Sequence, residues 1–92
     1  MKQIIVDAIN SKCRISCVYN DKPRVIEPQC YGMGHRGTEL LRVYQLHGGS
    51  EREPLFNVAK IQELVTLDEH FTQPGPNYKK NDSAMKEIFA QL

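Results

Sequence analysis

Short runs of alternating apolar and polar residues, broken at intervals of about 8 to 12 residues by turn formers, constrain this chain more than any other feature of its sequence. "CRISCVYN" places Cys13, Ile15, Cys17 and Tyr19 on one face of an extended chain and Arg14, Ser16 and Asn20 on the other. A period of two belongs to a strand with one buried face. "ELLRVYQL", from Glu39 to Leu46, directs Leu41 and Val43 toward a core and Leu40, Arg42 and Tyr44 away from it. Between these runs, "NDKP" at Asn20 to Pro23 predicts a hairpin into a second strand starting near Arg24. Pro28 lacks an N–H and should end or bend that strand. Gly32, Gly34 and Gly37 then suggest a loop or a bulged continuation. After the glycine-containing loop "HGGSEREP", "LFNV" resumes extended structure. "AKIQELVTL" reads as a brief turn near Ala59 to Ile61 and a last strand to Leu67.

Helical spacing occurs only at the two ends of the chain. Ile4, Ile5, Ala8 and Ile9 form an apolar stripe that stops near Ser11. The stretch from Thr72 to Lys80 contains two prolines and a glycine and reads as a tether. Asn81, Asp82 or Ser83 can then cap a C-terminal helix with Met85, Ile88, Phe89 and Leu92 on one face. The expected fold is mainly β: a small SH3-like (Sm-like) barrel of about five antiparallel strands with an N-terminal and a C-terminal helix. Residues 1–71 form the barrel and first helix. Residues 72–92 form a linker and a helix packed on that barrel.

Twelve basic and eleven acidic residues give a formal charge of +1, so no overall field draws the chain to nucleic acid or to an anionic membrane. Any anion site has to be local. No apolar run approaches the ~20 residues of a bilayer span and no signal peptide is evident, so the expected location is cytoplasmic, with no membrane partner. Three cysteines argue against a disulfide framework. Cys13 and Cys17 stand ~13 Å apart on a strand, too far to bridge or to share a zinc ion. His35, His47 and His70 show no i, i+4 pairing, and no metal or cofactor is expected. Walker, dinucleotide and nucleophile-elbow spacings are all missing, and "GMGHRG" at Gly32 to Gly37 lacks the following helix of a phosphate loop. Binding is therefore expected rather than catalysis.

The constellation with functional promise is basic and aromatic: Arg24, Arg36, Arg42 and Lys60 interleaved with Tyr19, Tyr31 and Tyr44. Arginine forks hold phosphates, and aromatic faces stack bases. The plain alternative is a solvated exterior carrying ordinary surface arginines. In sequence order, "AINSKCRISCVYNDKPRVIEP", "YG", "GTELLRVYQL" and "LFNVAKIQELVTLDEHF" resemble the WYL domain family, and "NYKKNDSAMKEIF" resembles the tail of its short members without a helix-turn-helix. Tyr19, Arg24, Glu27, Pro28, Leu41 and Tyr44 fall on the family pattern. The naming tripeptide becomes Glu39, Leu40 and Leu41, Pro54 and Asn57 stand where arginines are typical, and Lys60 replaces a third.

The resemblance implies an SH3-like barrel acting as a ligand-sensing or regulatory module of bacterial transcription regulators. Its expected ligand is a nucleotide or single-stranded oligonucleotide, bound by Tyr19, Arg24, Arg42, Tyr44 and Lys60. A protein-interaction or dimerisation module, working as a homodimer or docked on a larger transcription regulator, is the alternative.

Overall fold

A computed structural model describes all 92 residues. Helix α1 spans Gln3–Ser11 and buries Ile5, Ala8 and Ile9, while Ile4 stays largely exposed. The helix ends where Lys12 turns left-handed, at φ 54°, and donates its N–H to the carbonyls of Ala8 and Ile9. Six strands follow: β1 (Cys13–Tyr19), β2 (Lys22–Gly34), β3 (Glu39–His47), β4 (Leu55–Asn57), β5 (Gln62–His70) and β6 (Met85–Gln91). All pairings are antiparallel, in the order β4-β3-β2-β1-β5, with β6 set against β2. The β1–β2 turn has two residues, Asn20 and Asp21, both at positive φ. Such a turn matches the right-handed twist of the flanking strands, and Asn and Asp tolerate it best after glycine.

β2 organises the sheet. Its residues Lys22 to Ile26 pair with β1, and Cys30 to Gly34 pair with β6 on the same edge, while β3 runs along the other edge from Val25 to Met33. Pro28 lies in the gap between the two partners. Its missing N–H does not end the strand, which continues beyond it to Gly34. The β2–β3 register slips between Pro28 and Cys30, leaving Gln29 as an extra residue. A bulge of this kind bends the strand and tightens its twist.

The sheet curls far enough for its members to meet across it. β1 and β4 are separated by two strands, ~14 Å in a flat sheet at the usual strand spacing. Even so, Tyr19 at the end of β1 stacks on Phe56 of β4 with ring centroids 4.0 Å apart. β4 and β5 make no ladder with each other; a 3-10 turn, Val58–Lys60, joins these two edges. Inside the curl lie Ile15, Cys17, Ile26, Tyr31, Leu41, Val43, Phe56 and Val58, and the α1 residues Ile5, Ala8 and Ile9 cover them.

Residues expected to form the C-terminal helix form strand β6 instead. Its ladder with β2 skips Lys86 and Phe89. The tether is likewise fixed. Gly75 donates its N–H to Gln29 Oε1 at 2.6 Å, Asn77 donates to Glu53 Oε2 at 3.0 Å, and Arg42 pairs with Asp82. Residues 72–84 thus form a strap across the outer face of β2 and β3.

Candidate functional site

Arg24 stands opposite Cys17 in the β1–β2 register, on the concave side of the sheet, and is only 9% exposed. Its Nη1 donates to Gln45 Oε1 at 2.6 Å and its Nη2 donates to the Tyr19 carbonyl at 3.0 Å. Both acceptors are neutral. The chain's four ion pairs do not include this guanidinium, and its Nε is buried without a hydrogen-bond partner. Its central carbon lies 5.7 Å from both the Tyr19 and the Phe56 centroids. Because those rings are stacked 4.0 Å apart, an equidistant cation flanks the pair rather than capping either face, so the rings hold the charge weakly.

Removing an arginine from water costs several kcal/mol unless a counter-charge and full hydrogen bonding offset it. Here the offset is incomplete, and the charge borders an open cleft of about 620 Å³. Tyr19, Lys22, Gly49, Glu51 and Phe56 help to line it. At the rim, Lys22 and Glu51 carry opposite charges, which leaves Arg24 to set the sign of the interior. The loop after β3 comes so close that a Cβ on Gly48 would lie 2.7 Å from Arg24 Cδ, and one on Gly49 would lie 2.5 Å from its Nη1. Both glycines have positive φ, 86° and 70°. Gln45 bridges loop and arginine, since its Nε2 donates to the Glu51 carbonyl at 2.6 Å.

The remaining expected site residues do not join this cleft. Arg42 and Tyr44 project from the outer face of β3, opposite to Arg24. Arg42 Nε bonds Asp82 Oδ2 at 2.9 Å, its Nη1 bonds the Glu53 carbonyl at 3.2 Å, and Tyr44 lies beside Gly75 of the strap. Arg42 is thereby committed to a structural ion pair. Lys60 is exposed on the 3-10 turn and does not line the cleft. The single face carrying Tyr19, Arg24, Arg42 and Tyr44 is therefore not formed: Tyr19 and Arg24 converge, and the strap covers the face of Arg42 and Tyr44.

Sequence reasoning missed Phe56, Gln45 and Gly49 as parts of the cleft. One signal was present, because Gln45 continues the inward alternation of Leu41 and Val43 and so puts an amide on a core face. The burial of Arg24 had no local signal.

Elsewhere, Cys17 and Cys30 are enclosed, and burial pushes each thiol up to about 11. Cys13 Sγ lies 3.4 Å from His70 Nε2, His35 Nε2 lies 3.0 Å from the Ser83 carbonyl, and no cluster of three metal-ligating side chains forms. No helix is long and apolar enough to cross a membrane. Comparison with family models, curated proteins and solved structures finds no match for the chain.

Proposed function

We propose that this chain is a ligand-sensing or regulatory binding module for a phosphate-bearing anion, a nucleotide or single-stranded oligonucleotide, seated in the cleft over Arg24. One observation carries the reading: Arg24 is a nine-tenths buried cation with neutral partners and no carboxylate, bordering a cleft that also holds two aromatic rings. A phosphate oxygen would supply the missing counter-charge through charge-assisted hydrogen bonds. An SH3-like barrel of the WYL kind, serving a transcription regulator, is the setting that the sequence resemblance supports. The strand order β4-β3-β2-β1-β5, with a 3-10 turn joining the two edges, supports it too.

With one inward arginine and a formal charge of +1, the affinity is modest, about 10–100 μM for a mononucleotide. Titration with a mononucleotide, inorganic phosphate and short single-stranded DNA and RNA at low and moderate salt tests the proposal. Binding should weaken as salt rises and vanish in Arg24→Met, while Lys60→Ala binds as wild type. If no probe binds at low salt, or if Arg24→Met binds equally well, the protein-interaction reading replaces this one. The unpaired edge of β5, where Val65 is 53% exposed, favours that second reading.

A further inference from the structure

We propose that Cys13 is a modification site, a thiol activated by His70 that forms mixed disulfides with low-molecular-weight disulfides. The pair is built by strand register. Cys13 opens β1, His70 closes β5, and the two stand directly opposite each other in the ladder, where side chains share one face. Cys13 Sγ and His70 Nε2 are 3.4 Å apart, a contact between a nucleophile and a base that lie 57 residues apart in sequence. The thiol's other acceptor, the Ser11 carbonyl, is farther, at 4.0 Å. His70 is exposed and Cys13 is partly so, at the open end of both strands, where a small disulfide can approach.

The surroundings narrow the chemistry. The carbonyl end of α1, two residues before Cys13, opposes a thiolate, whereas His70 Nε2 touches the sulfur and can take its proton. Arg14, next along β1, is held by Glu27 and Glu69 and does not compete for the sulfur. A metal half-site is excluded, because no third His, Cys, Asp or Glu completes it. Nor is there an internal resolving thiol: Cys17 is ~13 Å away along the strand, and Cys30 is fully buried under the strap. A mixed disulfide at Cys13 therefore persists until an external thiol removes it.

In the reaction, the Cys13 thiol proton passes to His70 Nε2, and the thiolate lone pair attacks one sulfur of the disulfide R–S–S–R. The Cys13–S–S–R bond forms as the R–S–S–R bond breaks. The departing thiolate takes the bond's electron pair and recovers a proton from the imidazolium. Cys13 is oxidised, and one half of the small disulfide is reduced.

The test incubates the full chain with oxidised glutathione near neutral pH, quenches with acid and locates adducts by peptide mass spectrometry. One adduct should form, at Cys13, about tenfold faster in the native protein than in the same chain unfolded in urea. It should form about tenfold more slowly in His70→Gln and not at all in Cys13→Ser. A native rate at or below the unfolded rate overturns the proposal. So does an even spread of adducts over Cys13, Cys17 and Cys30, or a His70→Gln variant that reacts like wild type. Should His70→Gln fail to fold, the native and unfolded rates of the wild-type chain decide alone.

Discussion

The Tyr19 ring lies on the Phe56 ring with 4.0 Å between centroids and 4° between planes, and its hydroxyl accepts the Asn57 N–H at 2.9 Å. One side chain therefore fastens the end of β1 to β4 by both stacking and a hydrogen bond. The same ring forms one wall of the Arg24 cleft, so curling the sheet and shaping the cleft are a single packing event.

Tyr19→Phe keeps the stack but leaves the Asn57 N–H without its acceptor. Losing the partner of a part-buried donor costs about 1–2 kcal/mol, and urea unfolding should show this as a lower midpoint with an unchanged m-value.

Gly49→Ala should harm both stability and binding, because the new methyl falls 2.5 Å from Arg24 Nη1 at φ 70°. A loss of about 1–3 kcal/mol is expected, together with weaker nucleotide binding. Gly37→Ala is the control. Its φ is 79°, but nothing lies within 4 Å of the added carbon, so only the backbone strain of about 1–2 kcal/mol should appear, with binding intact.

Gly32→Ala should detach β6. The added carbon would overlap the Glu87 carbonyl oxygen, which is backbone and cannot swing aside. Hydrogen exchange should show faster exchange across Met85–Gln91, with protection retained in β1 and the first half of β2.

Stability should decline at both ends of the pH scale. Burial alone would raise Asp82, yet the bonds from Arg42 and the Ala84 N–H outweigh it and hold the carboxyl below its ordinary value. The Tyr31 hydroxyl, 2.6 Å away, lowers Glu39 in the same way. For both acids the unfolded chain binds more protons, so their contribution is complete above the ordinary carboxyl range and disappears as pH falls below about 4. Asp82→Asn should flatten that acid slope. At the other extreme, burial raises Cys17 and Cys30 to about 11 and Tyr31 to about 12. These contributions are complete below the ordinary values of 9.0 and 10.0 and are lost as pH rises through the folded ones. Urea midpoints measured from pH 2 to 12 should trace both declines.

Alternation made much of the sheet legible. Leu41 and Val43 face inward, and Leu40, Arg42 and Tyr44 face outward, because each residue of β3 alternates without a slip inside the Glu39–Arg42 and Val43–Gln45 stretches. β6 was not legible, for a physical reason. Its two bulges, at Lys86 and Phe89, place Met85, Ile88, Phe89 and Leu92 at intervals that coincide with a helical stripe, and only the distant partner β2 decides between the two. The site was half legible. Tyr19 and Arg24 meet because a two-residue turn separates their strands, and the outward facing of Arg42 and Tyr44 follows from the alternation of β3, whereas the inward burial of Arg24, opposite Cys17, is fixed by pairing with β1 and not by any local pattern.

The shared edge of β2 has a consequence for a chain emerging from the ribosome. Residues Lys22 to Ile26 gain their neighbour β1 almost at once, since it precedes them, but Cys30 to Gly34 wait until β6 has been synthesised. Through that interval the nascent chain displays a bare strand edge with the Tyr31 ring and Met33 beside it, the kind of surface that recruits other strands into aggregates. Translation slowed between residues 72 and 91 should therefore lower the soluble yield more than an equal pause earlier in the chain.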